Sequence, residues 1–508
     1  GRRGVALMAL LLVLGGGAVW YHQAANDAPA AISASTTDGA SAIAPATPAT
    51  AQGAPGASAD AQPSVAVLPF VNMSSDAEQE YFSDGLAEEL LNLLSRIPEL
   101  RVAARTSSFA FKGEKVGIPD VADKLDVAYV LEGSVRKGGG RVRITAQLIR
   151  GRDGYHLWSE TYDRTLEDIF AVQDEISAAV VESLKLKIFG ERPRVRAVAP
   201  EAYALYLQGR YFNDRRDPEN WSKSVEAYRA ALAIDPEYAE AWAGLSITLA
   251  QQASWGAIDL ADGMQQAREA VLRALAIDDT LPEAHTSLGW IRMVYDWDWR
   301  GADESYQTAV RLAPNNATAL SAAGVLAFTL GRLDEAVALD LKAIALDPLR
   351  QAGHANLGLV LLHAGRLDEA AQRYRHLLEL NPEYPGAHMR LGQILLLQGR
   401  PEEALEMIRQ DSDEWWRDYA VALALHSLGR AEEADQALAD FIARHTDGPF
   451  QAAEILAWRG EVDQAFDWLE KAYAARDSGL HEILHDPFLA ALEKDPRWIP
   501  FLARLGLD

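Results

Sequence analysis

The sequence GRLDEAVALDLKAIALDP at residues 331–348 returns as GRLDEAAQRYRHLLELNP at 365–382 and begins a third time as GRPEEALEMI at 399–408. Successive copies start 34 residues apart. The same step separates the prolines expected to end the second helix of each unit, which are Pro314, Pro348 and Pro382. One such unit cannot bury its apolar stripe alone, so a series of units must stack. The repeat therefore decides the fold of the larger part of the chain.

A period of 34 residues, with a small residue where two helices cross, is the tetratricopeptide signature. The small residues keep the same step and are Gly324, Gly358 and Gly392. The pattern predicts an all-α solenoid over 200–477. It divides into about eight units, which are 200–236, 238–281, 282–315, 316–349, 350–383, 384–414, 415–448 and 449–477. The segment 478–508 lacks the period but keeps a helical pattern, which predicts C-terminal capping helices.

Residues 64–190 predict an α/β module. The stretch SVAVLPFVN at 64–72 is typical of a buried strand, and the amphipathic helix that follows ends at Pro98. Three alternating stretches between 127 and 164 predict consecutive strands separated by glycine turns. One face of such a sheet must be covered, and the flanking helices are the available cover. We expect a mixed sheet with covering helices.

The order of five short motifs in this module resembles a known family. The motifs are VAVLPF at 65–70, YFSDGLAEEL at 81–90, VLEGSVRK at 130–137, LWSETYDR at 157–164 and IFAVQDEIS at 169–177. Together they resemble the TolB amino-terminal-like (FlgO-related) domain of bacterial envelope proteins. The resemblance implies a domain without known catalytic residues, often followed by tetratricopeptide repeats. It also implies a relation to CadC-type winged-helix regulators and adenylate cyclase-linked proteins, and hence an envelope interaction or signalling role.

The N-terminal region predicts a transmembrane anchor over 1–23. Arg2 and Arg3 precede 18 uncharged residues at 4–21, which span about 27 Å as a helix. Basic residues before the span predict a cytoplasmic N-terminus, so that most of the chain is periplasmic at a bacterial inner membrane. The alternative is a cleaved signal peptide, with the processed protein beginning near Asn26. Residues 24–63, rich in Ala, Pro and Ser, predict a disordered linker.

Composition excludes several classes of function. The chain has 48 basic and 73 acidic residues, and its net charge of -25 would repel a phosphate backbone. We therefore expect no nucleic-acid binding by this chain. It has no cysteine, which excludes disulfides, thiolate metal sites and cysteine nucleophiles. No residue is predicted to be catalytic, to bind a cofactor or to hold a metal.

One stretch spells a zinc-hydrolase motif, since His481, Glu482 and His485 form H-E-x-x-H. On a helix this spacing places two imidazoles one turn apart, with a carboxylate to activate a zinc-bound water. Asp486 and Pro487 disfavour a helix that continues past the second histidine. We therefore favour a capping segment and keep zinc hydrolysis as the weaker alternative.

The concave face of the solenoid is the predicted binding surface for a protein or peptide. By the usual geometry of such repeats it is lined by Ser321, Val325, Phe328, Ala355, Leu359, Leu362, Met389, Gln393, Leu396, Trp416, Tyr419 and His426. Their mixed polar and apolar character suits a peptide laid in a groove. The alternative is that several of them are inter-repeat core. For the aromatic stretch at 290–299 we favour packing between neighbouring repeats and keep a ligand pocket as the alternative.

Three hypotheses for the function follow. The first is a non-enzymatic, membrane-anchored envelope protein whose solenoid serves as an adaptor or scaffold. The second is the periplasmic sensing half of a transmembrane transcriptional regulator or cyclase-linked signalling protein, with its effector domain before Gly1. The third is the zinc hydrolase.

Overall fold

The structure is a computed structural model that describes residues 62–76, 79–138, 141–165, 168–184, 198–215 and 217–507. The predicted anchor at 1–23 and almost all of the predicted linker at 24–63 lie outside the described residues. Every helix within the described ranges is too short or too polar to cross a bilayer.

A mixed sheet with helices forms the first folded region. Its elements in chain order are β1 (Ser64–Val67), β2 (Val71–Asn72), α1 (Glu80–Ser95), β3 (Arg101–Val102), α2 (Arg105–Phe109), α3 (Ile118–Lys124), β4 (Tyr129–Gly138), β5 (Arg141–Arg150), β6 (His156–Thr165) and α4 (Ile169–Ser183). The strand order is β3-β1-β4-β5-β6, and β2 pairs with β4. Strand β1 runs parallel to β3 and β4, whereas β4, β5 and β6 are antiparallel neighbours. The predicted mixed sheet is confirmed.

Alternation along β5 explains how this sheet is covered. Val142 and Ile144 are buried, whereas Arg141 and Arg143 on the opposite face are exposed. The buried face joins a core that includes Leu86 of α1. Side chains that alternate in a strand point to opposite faces, so the sequence pattern selects which face receives the helices.

The described residues from 200 to 475 form eight helix pairs, numbered here as repeats 1 to 8. The pairs are α5 (Pro200–Asn213) with α6 (Pro218–Ile234), α7 (Ala239–Ser254) with α8 (Leu260–Ile277), α9 (Pro282–Ile291) with α10 (Trp299–Leu312), α11 (Ala317–Thr329) with α12 (Leu333–Leu346), α13 (Gln351–His363) with α14 (Leu367–Leu380), α15 (Ala387–Leu397) with α16 (Pro401–Ile408), α17 (Glu414–Ser427) with α18 (Ala431–Arg444), and α19 (Pro449–Trp458) with α20 (Val462–Ala475). The predicted helical solenoid after the sheet is confirmed.

Close helix crossing within a repeat requires a small residue. A Cβ added at Gly358 would lie 2.8 Å from the ring of Tyr374, which is too close for any larger residue without movement of the ring. In repeat 4 the corresponding glycine is Gly324, but the side chain that faces it is Asp340 rather than an aromatic ring. Asp340 therefore stands where Tyr374 stands one repeat later, 34 residues along the chain.

Asp340 is a buried carboxyl group in an otherwise apolar crossing. Its side chain is buried, and neither carboxyl oxygen has a hydrogen-bond partner. Burial raises its pKa well above the usual value, and the positive charge of Arg350 offsets this only in part. A buried polar group without a partner is destabilising.

We expect Asp340→Leu to raise the free energy of unfolding by about 1–3 kcal/mol at pH 8. Because the folded-state pKa of Asp340 is raised, the carboxyl group is protonated in both the folded and the unfolded state below about pH 4, and its burial costs least there. The cost grows as the pH rises, because the unfolded state then loses a proton that the folded state keeps. The gain should therefore be larger at pH 8 than at pH 4. Urea unfolding followed by circular dichroism measures both values. The exposed Asp467 supplies the control Asp467→Leu, and equal destabilisation by both substitutions would contradict the expectation.

The mixed-sheet module is fixed to loops of the repeat array. Ser107 in α2 donates its hydroxyl to Asp347 Oδ1 at 2.6 Å, just after α12. The backbone N–H of Ala104 bonds the carbonyl of Leu346 at 2.7 Å. Farther along the edge, Asn315 Nδ2 donates to the carbonyl of Leu100 at 3.0 Å. The module thus contacts the array at repeats far beyond its direct neighbour in sequence.

A buried ionic network joins the module to repeat 1. Arg210 of α5 forms ion pairs with Glu88 and Glu89 of α1. Arg105 of α2 adds pairs with Glu88 at 3.1 Å and with Asp214 at 2.8 Å. Burial alone would raise the pKa of Glu88, but Arg210 and Arg105 hold it below its usual value. The network keeps this carboxylate charged inside the interface.

Candidate functional site

Repeat 3 contacts repeat 8, which closes the later part of the array on itself. The rings of Trp297 and Tyr473 lie 5.8 Å apart in an edge-to-face arrangement. The guanidinium of Arg476 lies 5.0 Å from the ring of Trp297 and also donates to the carbonyl of Tyr295. We call residues 282–475, repeats 3 to 8, the repeat ring.

The aromatic stretch at 290–299 supplies this closure. A π-helical turn, Arg292–Asp296, extends α9, and Trp297 then adopts a left-handed conformation with φ 60°. Trp299 Nε1 donates to the carbonyl of Leu505 at 2.6 Å. The sequence favoured packing between neighbouring repeats, whereas the structure uses these rings to join distant ones.

The C-terminal segment is less helical than the sequence predicts. Within the described residues after 477, the helical parts are a 3-10 helix at Ser478–Glu482 and α21 at Trp498–Leu505, with turns between them. Helix α21 lies along α20, where Arg504 pairs with Glu470 at 2.6 Å. Residues 483–497, within the predicted capping helices, form turns instead of helix, and the interruption includes Asp486 and Pro487, which disfavour a continuing helix.

Residues 478–492, here called the inner segment, enter the repeat ring. Ile483, Leu489 and Leu492 are fully or almost fully buried. Phe488 packs its ring 5.0 Å from that of Trp458 at the end of α19. The Nδ1 atom of His363 in α13 lies 3.3 Å from the carbonyl oxygen of Leu484. The inner segment thus contacts the first helices of several repeats.

An ion pair anchors the inner segment. Arg390 of α15 contacts Glu482 at 2.9 Å, and both side chains are about nine-tenths buried. Burial alone would lower the pKa of Arg390, but Glu482 and its neighbours hold the pKa above its usual value. The inner segment therefore supplies the carboxylate, Glu482, that pairs with the buried cation Arg390 of the repeat ring.

Two further carboxyl groups meet nearby. Burial raises the pKa of Asp486 to about 7, although the backbone N–H of Phe488 acts in the opposite direction. Burial also raises the pKa of Glu454 in α19 well above its usual value, and the neighbouring Asp486 adds to the effect. Arg390 acts against the rise at both groups, whereas Glu482 adds to it. At neutral pH this pair of carboxyl groups retains a proton.

This carboxyl pair predicts a pH dependence. Because the folded-state pKa of Asp486 is raised, its contribution to stability is fully present below about pH 4 and is lost as the pH rises through about 7. We expect Glu454→Gln to make the free energy of unfolding depend less steeply on pH. The slope should fall by about 1.4 kcal/mol per pH unit for each proton that the folded wild-type protein binds at this carboxyl pair and the variant does not. Urea unfolding at half-unit steps from pH 5 to 8 measures it.

The matched control for this pH dependence is Glu493→Gln, because Glu493 is exposed on the same C-terminal segment. It should leave the slope unchanged. If Glu454→Gln also leaves the slope unchanged, the two carboxyl groups do not share a proton and this interpretation of the site is wrong.

The twelve residues predicted to line an open groove are mostly buried. The buried ones are Ser321, Val325, Phe328, Ala355, Leu362, Met389, Gln393, Leu396 and Tyr419. Leu359, Trp416 and His426 are half-buried. Two examples show how the interior is filled: Phe328 packs on His363, with ring centroids 4.9 Å apart, and Gln393 donates to Tyr419 Oη at 3.0 Å. The interior of the ring holds the chain's own inner segment.

The H-E-x-x-H stretch does not form one helical turn. The 3-10 helix ends at Glu482, and His485 has a left-handed backbone with φ 60°. His481 is buried and its Nδ1 lies 2.8 Å from the carbonyl of Ser478. Across the described residues, no group of three or more His, Asp or Glu side chains is arranged to hold a metal ion. The two imidazoles are not placed on one helix face as the zinc motif requires.

Arg390, Glu454 and Asp486 were missed by the sequence interpretation. The signal that could have found two of them is a lone charge within an apolar first helix, as in AHMRLGQILLL at 387–397 and PFQAAEILAW at 449–458. A charge in that position is normally exposed, and only a partner from another part of the chain explains its burial.

Comparison with known proteins supports the repeats. Two family models described as tetratricopeptide repeat match residues 297–350 and 361–414. A third model, described as the second domain of HilA/YgeH-like transcriptional regulators, matches residues 61–179. The region for which the sequence predicted a TolB amino-terminal-like domain thus matches a family model with a different description.

Curated relatives match part of the chain. "Putative adenylate cyclase 3" of Rhizobium meliloti is 42% identical over 242 residues, which cover 46% of this chain and 41% of that protein. "Transcriptional regulator HilA" of Salmonella typhimurium is 21% identical over 237 residues, covering 46% of this chain and 42% of that protein. The matched region therefore spans less than half the length of each relative.

Among solved structures, Pseudomonas aeruginosa pilF is 21% identical with a TM-score of 0.35, and the match covers 44% of this chain and 98% of that chain. Together with the two family models and the observed helix pairs, the 34-residue period identifies the helical array as tetratricopeptide repeats that follow a mixed-sheet module.

Proposed function

We propose that this chain is a non-enzymatic bacterial envelope protein that binds a protein partner through its tetratricopeptide array. In this proposal residues 4–21 anchor it in the inner membrane by a single pass, and the TolB-like module and the array lie in the periplasm. The observation that carries the protein-binding role is the inner segment, because the repeat ring accommodates an irregular polypeptide through an ion pair, an aromatic contact and apolar burial.

The test of partner binding is photocrosslinking in cells with the full-length chain. A photoreactive residue is placed at the half-buried Trp416 and His426 on α17, and at the exposed Leu272 and Leu341 as controls. We expect one polypeptide to be captured reproducibly from the first two positions and not from the controls. Capture of nothing, or of the same proteins from all four positions, would contradict the proposal.

The envelope location has its own test. A reporter enzyme that is active only after export, fused after residue 508, should be active and should sediment with membranes after an alkaline wash. An inactive fusion would contradict the periplasmic placement, and recovery of a soluble product beginning near Asn26 would replace the anchor by a signal peptide.

A second candidate function is the sensing half of a signalling protein. The observation in its favour is that relatives named as a putative adenylate cyclase and as a transcriptional regulator both match this chain over less than half of their own length. A sensing region shared by proteins with different outputs would give this result. Fusion of the chain to a cyclase domain, with cyclic AMP measured in cells, tests it, and output unaffected by Arg210→Met would count against it.

A further inference from the structure

The inner segment lies in the repeat ring as a bound ligand would. Its backbone at 483–492 is irregular, so it is not a ninth helix pair that continues the array. Its side chains are nevertheless buried against helices of repeats 6 and 8, through Glu482, Asp486 and Phe488. A stretch without repeat geometry that fills the interior of a solenoid is bound by the solenoid rather than part of its stacking.

The repeat ring contains a buried positive charge, Arg390, which pairs with a carboxylate of the inner segment. Arg390 has Glu482 as its one carboxylate partner among the described residues, and its other neighbours include the phenol groups of Tyr374 and Tyr419. Without the inner segment the guanidinium would lose its ion pair and keep only Gln393, the two phenol groups and the mostly protonated Glu454 as polar neighbours. A buried cation left unpaired is strongly unfavourable, so the empty ring would select a ligand that carries a carboxylate.

Two more positions add selectivity. Glu454 Oε2 has no hydrogen-bond partner and lies beside Asp486, so it can receive a proton shared with a second carboxyl group of a ligand. The indole of Trp458 is held in place because its Nε1 donates to Ser427 Oγ at 2.9 Å. The indole packs against the aromatic side chain of Phe488. The repeat ring therefore has one subsite for a carboxylate, one for a protonated carboxyl group and one for an aromatic side chain.

The backbone is strained just before the inner segment and in its middle, although the start of the segment is held by the buried Asp477, which accepts from the backbone N–H groups of Phe450 and Gly479. Arg476, just before it, has a left-handed backbone with φ 52°, and His485 within it has φ 60° and is exposed. Such conformations are strained for residues other than glycine, at a cost of about 1 kcal/mol or more each. Residues 493 and 494, which follow the inner segment, are exposed. Residues 483–492 belong to no helix pair, so their release from the repeat ring would not require helix pairs to unstack.

We propose that the repeat ring is a peptide-binding site whose resident occupant is the inner segment, and that its external ligand is an acidic peptide with two carboxylate residues four apart and an aromatic residue two positions later. The inner segment carries the same pattern in Glu482, Asp486 and Phe488. This inference rests on the proposed function and names the class of partner that the site takes.

A tethered occupant competes strongly with an external one. A short flexible tether gives an effective concentration in the millimolar range, so an external peptide binds weakly while the inner segment is intact. Substitutions that loosen the inner segment raise the fraction of molecules whose repeat ring is open. The apparent affinity for an external peptide rises by the same factor. This difference between intact and loosened proteins is the property that the experiment measures.

The experiment uses the full chain and a fluorescent peptide of residues 478–492, with binding followed by fluorescence anisotropy. The loosened protein carries Glu482→Gln and Phe488→Ala, and the matched control carries Glu493→Gln at an exposed site. We expect the peptide to bind the loosened protein at least about tenfold more tightly than the wild-type or control protein. A peptide with Glu482→Gln should lose about tenfold of that affinity.

A second form of the experiment removes the risk that the loosened protein fails to fold. A protease site inserted after Ala475 is cut once the full chain has folded, and a labelled peptide of residues 476–508 is then offered for exchange. Exchange that the unlabelled peptide competes away supports the proposal. No exchange in a folded, fully cut protein overturns it.

The peptide experiment needs no cellular partner, so it separates the two levels of the proposal. Peptide binding together with failed crosslinking in cells would leave the ring a peptide site and remove the proposed envelope partner. Crosslinking in cells without peptide exchange would keep the protein-binding function and overturn the displaceable inner segment.

Discussion

Replacing Arg390 by methionine is expected to lower the free energy of unfolding by about 3–5 kcal/mol, because it leaves the carboxylate of Glu482 buried without a cation. Methionine keeps the length and apolar contacts of the side chain, so the loss is electrostatic. The side chain of Arg390 also lies 5.7 Å from the ring of Trp416, so the indole reports the change. Urea unfolding followed by tryptophan fluorescence and circular dichroism measures the loss.

The double variant Arg390→Met with Glu482→Gln separates charge from packing. It removes the stranded carboxylate, and we expect it to recover a large part of the stability lost by the single substitution. The control is Arg409→Met, since Arg409 pairs with Glu406 at 3.0 Å on the exposed surface of the same repeat. It should cost no more than about 0.5 kcal/mol. A single variant as stable as this control would contradict the buried ion pair.

Arg210→Met is expected to have the second large effect, also about 3–5 kcal/mol, at the interface between the mixed-sheet module and repeat 1. Arg210 pairs with both Glu88 and Glu89, and it also donates to Tyr206 Oη at 3.0 Å. Its removal leaves two carboxylates in the interface with Arg105 as the remaining cation in the network. The module should then open from the array before the array itself unfolds.

The measurement is hydrogen exchange read at peptides of α1 and α5, together with a thermal scan. We expect faster exchange at both helices and a separate early transition in the variant. Lys223→Met is the control, because Lys223 pairs with Glu219 at 2.7 Å on the exposed face of α6. An Arg210 variant with one transition and exchange equal to the control would show that the network does not hold the module.

Short-range pattern was sufficient for most of the helices and strands of both regions. Alternation in β5, with Val142 and Ile144 on one face, predicted the sheet and its covered side. Helix α2 was not predicted, because five residues of RTSSF carry no periodic signal. Its position is nevertheless important, since Ser107 within it holds Asp347 of the distant repeat 4 to 5 loop. Such a contact depends on where the module lies on the array, which no local pattern encodes.

The site shows the same division. The sequence indicated an interior surface from Ser321 to His426 but predicted it to be open, since nothing in residues 478–492 marks them as its occupant. The H-E-x-x-H motif indicated a role for Glu482 in zinc hydrolysis, which the observed 3-10 helix does not support. The role of Glu482 became evident only from Arg390, which lies 92 residues earlier in the chain and 2.9 Å away in space.

The sequence by itself determined the helix pairs and the mixed sheet, because the 34-residue period and the strand alternation each bury their apolar residues in only one way. Only the tertiary structure decided that Trp297 meets Tyr473, that the array closes, and that the inner segment fills it. The reason is that stacking of neighbouring repeats is local in the chain, whereas closure sums small rotations over six repeats and ends in contacts between residues far apart in sequence.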